Sequence, residues 1–369
     1  MRAIHGSGTT TRDDRRRGFR GAAGLWLLGV GACALGCGAG AGRASPEGPA
    51  VAFAARGAPE DGARPVADEA ADAAKHGGGE AQGAAARHAK GRRMTRAEAA
   101  RHVIELVNRD RAAHELPPVA WDETAARAGR RHAEDMVRVG FTGHWGSDGS
   151  VPEERYTAAG GDGFVMENAG CFADGVPREL DPDPRFSAES LERVHRAFMN
   201  EKPPADGHRR NVLTASHTSL GVGLAKAKGL DIACMAQEFV DDYGTYQPLP
   251  RRARVGEVIR VAGELRPPAK VAGVGISRIE RGAPIEAERL LRMGGYAIPQ
   301  PHATFFPKGY KTPIPLEVNG NRFSIQVPLD DRGRGGRYGV SVWATFPGSN
   351  ELKMVSLRTV DVGGKGGAR

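Results

Sequence analysis

A carboxylate and an imidazole flank a proline break between two predicted helices. Glu201 ends the first helix, because Pro203 and Pro204 cannot continue it. His208 begins the next short element. The first helix is predicted from an N-cap and one apolar face, formed by Ser187, Leu191, Val194, Phe198 and Met199. Two titratable side chains held this close by regular structure form a candidate site, although a solvated surface pair is the simpler alternative.

The composition excludes one class of partner. The chain has 369 residues, 40% of them hydrophobic, which is enough for two domains with real cores and additional segments. The formal net charge is +8, but much of it lies in the first residues and in the stretch 87–101. The sequence contains no basic helix with interleaved aromatics, no zinc finger and no RNA-binding motif. We therefore expect no nucleic-acid partner.

Residues 1–37 are typical of an export signal. Their basic segment, Arg15-Arg16-Arg17-Gly18-Phe19, resembles a twin-arginine signal, and the apolar stretch 21–36 is too short and too glycine-rich to span a membrane. Cys33 and Cys37 each end a segment that resembles a bacterial lipobox, and we keep both as candidates for lipidation. We favour a lipoprotein held on a membrane by its acyl chains over an ordinary cleaved signal peptide.

The segment 38–92 consists mainly of Ala, Gly, Glu, Asp and Pro and contains almost no large apolar side chains. Such a segment cannot bury enough surface to offset the entropy lost on ordering. We predict a disordered tether between the anchor and the globular part.

Two of the four cysteines, Cys171 and Cys234, belong to the predicted globular part. In an oxidising compartment they can form one disulfide, whereas the alternative is a pair of buried free thiols. We predict that the disulfide forms and that it contributes about 4 kcal/mol in the chain-entropy view.

Helices with a few strands are predicted for residues 93–247. A capping box, Thr95-Arg96-Ala97-Glu98, begins the first helix, and Asp122 caps a second helix that Gly140 stops. Strands are expected at Ser219–Ala225 and Asp231–Val240. Because helices and strands do not alternate regularly, the pattern indicates an α+β fold with a helix-flanked sheet.

From residue 255 to 362 the pattern changes to short alternating runs with Gly, Pro and Asn between them. Asn319-Gly320-Asn321 is a hairpin signal. The predicted strands are Val258–Val261, Val271–Ser277, Leu316–Val318, Phe323–Val327, Tyr338–Thr345 and Met354–Val362. We predict an all-β, immunoglobulin-like sandwich without catalytic residues.

Several ordered motifs between residues 95 and 246 resemble the CAP superfamily, also called the SCP/TAPS domain, in its secreted bacterial form. The motifs are Val107-Asn108-Arg109-Asp110-Arg111, His132-Ala133-Glu134-Asp135-Met136, Gly207-His208-Arg209-Arg210-Asn211-Val212-Leu213 and Gln237-Glu238-Phe239-Val240. The resemblance covers well under half of the chain. It implies an α-β-α sandwich around a cleft. It does not extend to the predicted all-β sandwich of residues 255–362.

The resemblance also implies a cleft tetrad of two histidines and two glutamates, which falls on His144, Glu167, Glu201 and His208. The chain departs from the family pattern at Met166, where the family has Gly, and at Phe198, where it usually has Trp. Some members bind a divalent metal, often zinc, through the two histidines. His144 and His208 are therefore the expected ligands of zinc or another divalent metal.

The residue types leave three functions open for the tetrad. Two neutral imidazoles suit zinc and leave positions for water. Glu167 or Glu201 can orient a ligating histidine, or act as the general base of a metal-dependent hydrolase. No His-Glu-x-x-His helix is present, so a standard metalloprotease is excluded. The third possibility is a hydrogen-bonded network that joins the helices to the sheet without metal or turnover.

The remaining aromatic and histidine residues are assigned to packing. His132 lies on the apolar face of the second helix and is expected in the core, and His217 is expected in a loop before a strand. Trp121 and Trp145 are expected to pack, although Trp145 follows His144 and can line the cleft.

Together these features predict an exported envelope or secreted protein. It binds a lipid, a peptide or a cell-wall component through the cleft and reaches the membrane through its lipid anchor. The first alternative is a metal-dependent hydrolase that uses the same tetrad. The second is an interaction protein in which the C-terminal sandwich captures the partner.

Overall fold

The computed structural model describes residues 93–280, 283–293, 295–349 and 351–363. The predicted signal 1–37, its candidate lipidation sites Cys33 and Cys37, and the predicted tether 38–92 lie outside the described residues. Within the described ranges, no helix is long and apolar enough to cross a membrane.

The first half of the described chain combines five helices with four strands of one sheet. The helices are α1 (Arg96–Ala112), α2 (Glu123–Val139), α3 (Pro152–Ala158), α4 (Ala188–Asn200) and α5 (Gly207–Val212). The strands are β1 (Ala120–Trp121), β2 (Phe164–Gly170), β3 (Ser219–Ala225) and β4 (Cys234–Asp241). The predicted capping box of α1 is present, with the Thr95 side chain accepting from the Glu98 amide. Asp122 caps α2, which ends at Gly140 in the left-handed conformation.

The four strands form a sheet in the order β1-β3-β4-β2. Helix α2 lies directly on β3, where a Cβ at Gly221 would meet the Ala126 nitrogen at 2.1 Å and one at Gly223 would meet the Gly129 carbonyl carbon at 2.0 Å. Helices α1 and α4 pack on the other face around a shared apolar core that includes Val103, Leu191 and Phe239. The predicted α-β-α sandwich is confirmed.

The second half of the described chain is an all-β sandwich, as predicted, with one short helix. Its elements are β5 (Gly244–Tyr246), β6 (Arg252–Arg254), β7 (Val258–Leu265), β8 (Lys270–Ile279), α6 (Ala287–Leu290), β9 (Ala303–Phe305), β10 (Glu317–Asn319), β11 (Arg322–Pro328), β12 (Gly336–Thr345) and β13 (Lys353–Gly363). They form two sheets in the orders β10-β11-β7-β5 and β6-β13-β12-β8-β9. One buried apolar core includes residues of both sheets, among them Val261, Phe323 and Val340.

The chain enters the C-terminal sheets before the predicted linker. Strand β5 precedes Pro248, yet it pairs with β7, with Gly244 opposite Leu265. The predicted hairpin at Asn319-Gly320-Asn321 is present, because Asn319 pairs with Arg322 across the turn.

The C-terminal sandwich packs against the edge strand β2 of the first sheet. The Leu357 amide donates to the Gly163 carbonyl at 3.2 Å. Met166 packs with Phe164, Met354 and Leu357 in one apolar cluster. The side chain that departs from the family pattern therefore contacts the added domain, and the edge strand is covered rather than open to pairing with another chain.

The predicted disulfide between Cys171 and Cys234 is present, with a Cα–Cα distance of 4.3 Å. Cys171 directly follows β2 and Cys234 begins β4, and these two strands are paired, with Gly170 opposite Met235. The bond therefore joins two strand ends that the sheet already brings together.

Candidate functional site

The structure arranges the four tetrad residues as two histidine–glutamate pairs. His144 Nδ1 lies 3.0 Å from Glu167 Oε1. His208 Nδ1 makes the equivalent contact with Glu201 Oε1. The centroids of the two imidazole rings are 6.1 Å apart, with an angle of 40° between the ring planes. The expected four residues thus meet at one place, although they come from four separate segments.

Glu201 and His208 are positioned by the ends of two helices. Glu201 directly follows α4, and its Oε2 accepts from the His208 amide at 2.9 Å. The His208 ring lies against the Phe198 ring, with centroids 4.7 Å apart and a 32° angle between the planes. Phe198 therefore supports the imidazole, in the position where the family usually has Trp.

His144 and Glu167 are positioned by the loop after α2 and by strand β2. The Glu167 side chain is fully buried, whereas the His144 side chain is 20% exposed. The His144 carbonyl accepts from both terminal nitrogens of Arg155, each at 3.1 Å. This half of the site is therefore anchored in the protein interior, and its imidazole reaches the surface.

The hydrogen bonds select one tautomer for each histidine. Because a carboxylate can only accept, the neutral form of each ring carries its proton on Nδ1 and has its lone pair on Nε2. Among the described residues, neither Nε2 has a hydrogen-bond partner. The carboxylate–imidazole arrangement is the one that orients metal-ligating histidines in proteins.

The donor set fits a divalent metal that prefers nitrogen ligands. Two neutral imidazoles suit zinc, and a site with two protein ligands leaves its other positions to water or to a bound ligand. Within the described ranges, no group of three or more His, Cys, Asp or Glu side chains is arranged to hold a metal ion. Within the tetrad, the two imidazoles of His144 and His208 are the nitrogen donors that could hold one.

Arg155 is a site residue that was not predicted from the sequence. Its Nη2 donates to Glu167 Oε2 at 2.7 Å, and both side chains are essentially buried. Burial opposes ionisation of Glu167, but the Arg155 guanidinium, His132 and the hydrogen bond from His144 hold the pKa of Glu167 well below its usual range. Glu167 is therefore an anion at neutral pH, which lets it accept from His144.

Glu238 is a second missed residue, and it lies beside Glu167 in the sheet. The two glutamates are direct cross-strand partners on β2 and β4, so their side chains share one face. Helix α2 covers this face, because a Cβ at Gly129 would lie 3.1 Å from Glu238 Cγ. Burial and the neighbouring Glu167 raise the pKa of Glu238 well above its usual range. The pair therefore holds one proton, on Glu238, at neutral pH.

His132 is buried beside the same carboxylate, as expected for a core histidine. Its Nε2 donates to the Gly143 carbonyl at 2.7 Å and lies 3.7 Å from Glu167 Oε1. Burial and the nearby Arg155 lower the pKa of His132 to about 4. His132 is therefore neutral at neutral pH, and Arg155 is the cation that balances Glu167.

The sequence contains a signal for Glu238 but only a weak one for Arg155. Glu238 is an acidic residue inside the mostly apolar run that predicts β4. Burying an acid within such a run costs free energy unless neighbouring groups pair with it, so its presence there indicates a specific environment. Arg155 follows Glu153 and Glu154 in a short polar helix that has the composition of an exposed element.

We expect Glu238→Gln to be about as stable as wild type near pH 5 and more stable at alkaline pH. Folded wild type keeps a proton that the unfolded chain releases above the ordinary carboxyl pKa. The stability contributed by Glu238 is therefore fully present below the ordinary carboxyl pKa. It is lost as the pH rises from there towards the raised pKa of Glu238. Between these two pKa values, the difference in free energy of unfolding between Glu238→Gln and wild type should grow by about 1.4 kcal/mol per pH unit. Urea unfolding from about pH 5 to about pH 9 measures it.

The control for this prediction is Glu105→Gln, which changes an exposed glutamate on α1. Its stability should follow the wild-type pH curve throughout. Parallel curves for Glu238→Gln and wild type would show that Glu238 is already ionised in the folded protein.

The C-terminal sandwich reaches the region next to the tetrad. Tyr296 lies in the segment between β8 and β9, and its ring meets Trp145 edge-on with centroids 5.5 Å apart. The Tyr296 hydroxyl donates to the buried carboxyl of Glu153. Burial raises the pKa of Glu153 above its ordinary value. Trp145 packs against the C-terminal domain, in agreement with its expected packing role.

A separate groove lies on the smaller C-terminal sheet, with a volume of ≈ 660 Å³. The polar side chains in its lining include Thr245, Arg260, Glu264, Asn319, Arg322 and Ser324. Arg322 and Glu264 pair with each other at 3.0 Å. Partner capture by the C-terminal sandwich stays a prediction, and this groove is its candidate surface.

Comparison with known families and proteins gives the following matches. The sequence model described as CAP, the cysteine-rich secretory protein family, matches residues 104–239. The uncharacterized protein YkwD of Bacillus subtilis (strain 168) is 26% identical over 125 residues, which are 34% of this chain and 42% of that protein. The chain therefore spans less than half the length of this relative.

Two solved structures are similar to part of the chain. An extracellular protein containing a SCP domain from Bacillus anthracis str. Ames is 23% identical, with 39% of this chain and 40% of that chain covered and a TM-score of 0.29. An outer surface protein from Borrelia burgdorferi is 15% identical, with 41% of this chain and 98% of that chain covered and a TM-score of 0.29.

Proposed function

We propose that the protein is exported and that residues 104–239, which match the CAP family model, contain a cleft that binds a divalent metal and a ligand of the cell envelope. The metal that the donor set favours is zinc, held by His144 and His208. The ligand is a lipid, a peptide or a cell-wall component. A bound divalent cation would supply a Lewis-acid centre that can hold an oxygen or nitrogen atom of such a ligand.

One observation carries the proposal. The Nδ1–H groups of His144 and His208 are both taken by carboxylates, while their Nε2 lone pairs are left without partners among the described residues. Both imidazoles are partly exposed, 20% for His144 and 28% for His208. Two oriented, accessible and unprotonated nitrogen donors at one place are what a metal with further exchangeable ligands requires.

The engagement of the two glutamates favours binding over hydrolysis. Glu167 accepts from His144 and from Arg155, and it is fully buried. Glu201 accepts from the His208 ring and from the His208 amide. Both carboxylates are therefore used to orient the two histidines, which is the role of a carboxylate beside a metal ligand. The metal-dependent hydrolase is therefore the less favoured function.

Two features support export. Residues 1–37 have the pattern of an export signal, with Cys33 or Cys37 as the candidate lipidation site. The disulfide between Cys171 and Cys234 is typical of an oxidising compartment outside the cytoplasm. A lipid anchor and a long polar tether would place the CAP cleft outside the membrane surface to which the protein is attached.

We expect the purified protein without a histidine tag to bind one zinc ion at neutral pH, and His208→Ala to weaken zinc binding by more than about 100-fold. Removing a ligand should cost more than the 10–100-fold typical of residues that only orient a ligand. Isothermal titration calorimetry and metal analysis after dialysis measure the affinity and the stoichiometry.

The matched control is His302→Ala, which removes an exposed histidine of the C-terminal sandwich and should leave zinc binding unchanged. Equal zinc binding by wild type and His208→Ala would exclude the tetrad as the metal site. If none of the proteins binds zinc, the tetrad is the hydrogen-bonded network that joins helices and sheet, and the search for a ligand moves to lipids and to the C-terminal sandwich.

A further inference from the structure

A chain of buried polar side chains crosses the face of the first sheet opposite to Glu167 and Glu238. Its central member is Asn168 on β2, which is 1% exposed and lies opposite Gln237 on β4. The side chains in order are Asp241, His217, Asn211, Asn168, Gln237, His195 and Asp110. No role for these side chains was predicted from the sequence.

The direction of the hydrogen bonds follows from one backbone group. Asn168 Nδ2 lies 3.1 Å from the His208 carbonyl oxygen, which can only accept. The amide nitrogen of Asn168 must therefore point towards His208, and its oxygen must point towards Asn211. Asn211 Nδ2 donates to this oxygen at 2.9 Å. The orientations of both amides are thereby determined by the tetrad backbone.

Between Asn211 and Asp241, the hydrogen bonds require that His217 is doubly protonated. Because Asn211 donates through its nitrogen, its Oδ1 faces His217 Nε2 at 2.9 Å and must accept from it. His217 Nδ1 lies 2.6 Å from Asp241 Oδ1, whose other oxygen accepts from Ser216 Oγ. Both ring nitrogens of His217 face acceptors, so both carry protons.

The surroundings of His217 are consistent with a buried cation. The ring is stacked on Phe239 with centroids 5.1 Å apart, and the residue is 3% exposed. Asp241 supplies the countercharge, and the Arg111 guanidinium from α1 is the other cation near that carboxylate. A buried charge is tolerated where it is paired and hydrogen-bonded, as this imidazolium is.

Between Asn168 and Asp110, the same donor-to-acceptor direction of the hydrogen bonds requires that His195 is neutral. Asn168 Nδ2 also donates to Gln237 Oε1 at 3.2 Å, so Gln237 Nε2 faces His195 Nδ1 at 3.3 Å and donates to it. The single proton of His195 is therefore on Nε2, which lies 2.8 Å from Asp110 Oδ2. Burial lowers the pKa of His195, which agrees with the neutral ring.

We infer that Asn168 is a positioning residue for the His208 half of the tetrad, held by a one-directional chain of hydrogen bonds with an imidazolium at His217 and the Nε2–H tautomer at His195. Strand β2 then holds both halves of the site with adjacent residues. Glu167 orients the His144 ring from one face of the sheet, and Asn168 holds the His208 backbone from the other. The consequence for metal binding rests on the proposed function.

The positions of the ring protons of His217 and His195 test the inferred hydrogen bonds directly in the wild-type protein. Imidazole ¹⁵N spectra at about pH 7 should show protons on both nitrogens of His217 and a single proton on Nε2 of His195. An unprotonated ring nitrogen on His217, or a proton on Nδ1 of His195, would overturn the inference. This measurement needs neither a metal nor a variant.

Asn168→Asp tests the positioning role. The substitution keeps the size of the side chain but replaces the donor with an oxygen, which repels the His208 carbonyl and Gln237 Oε1. We expect zinc affinity to fall by about 10–100-fold, as for residues that orient metal ligands. We also expect the amide and ring resonances of His208 to shift.

The matched control is Asn108→Asp. The side-chain amide of Asn108, on α1, donates a hydrogen bond to the Val119 carbonyl at 3.0 Å. Among the described residues, Asn108 makes no hydrogen bond to the tetrad. It should change neither zinc affinity nor the His208 resonances, and equal effects of the two variants would overturn the positioning role. If wild type binds no zinc, the proposed function is wrong, and the ring-proton pattern together with the His208 resonances still decides the present inference.

Discussion

Arg155→Met should lower the free energy of unfolding by about 3–5 kcal/mol, the cost typical of removing one partner from a buried ion pair. Met fills much of the space of the side chain but leaves Glu167 as an anion in the protein interior. The Arg155–Glu167 contact is 2.7 Å long, and both side chains are nearly inaccessible to water. Urea denaturation at neutral pH, followed by circular dichroism, measures the loss.

Arg127→Met is the matched control, because Arg127 is an exposed arginine that bonds the Ala159 carbonyl from the outer face of α2. It should change stability by less than about 0.5 kcal/mol. The double variant Arg155→Met with Glu167→Gln should recover part of the loss, since it removes the uncompensated charge. A loss below about 1 kcal/mol for Arg155→Met alone would contradict the assignment of Glu167 as a buried anion.

The second large effect concerns the disulfide. Replacing both Cys171 and Cys234 by Ala should lower the free energy of unfolding by about 4 kcal/mol, because the bond closes a loop over a sequence separation of 63. Ala is chosen because Cys234 is fully buried among apolar side chains. Urea unfolding of the oxidised protein and of the double variant gives the difference.

Two comparisons control the disulfide prediction. The single variants Cys171→Ala and Cys234→Ala should each lose about as much stability as the double variant, since either one breaks the bond. Wild type unfolded in the presence of a thiol reductant should also lose a similar amount. Two free thiols found by mass spectrometry in protein exported under oxidising conditions would remove the basis of the prediction.

Much of the fold was predicted from local patterns. The capping box at Thr95 and Glu98, the α2 cap at Asp122 and the alternating strands of the C-terminal sandwich all appear where their signals lie. These signals work because a helix terminus or a half-buried strand is specified by residues close together in the chain. The short strands β1, β5, β6 and β9 were missed, because two or three residues are too few to show a period. The seven-residue strand β2 was also not predicted as a strand.

The candidate site was predicted in part. The motifs that resemble the CAP superfamily located His144, Glu167, Glu201 and His208, and the structure brings all four together. The role of His217 was not foreseen. It lies in the loop before β3, as expected, but it is buried between Asn211 and Asp241 rather than solvated.

What the sequence determined by itself was most of the longer helices and strands, the change to a second all-β region, the cysteine pair and the residue types of the tetrad. Only the tertiary structure decided which ionisable groups are charged. Glu167 and Glu238 are the same residue type, yet the sheet register places them side by side, and Arg155 bonds Glu167. One carboxyl is therefore an anion and the other holds a proton, because the charge of a buried group depends on neighbours that are distant in the chain.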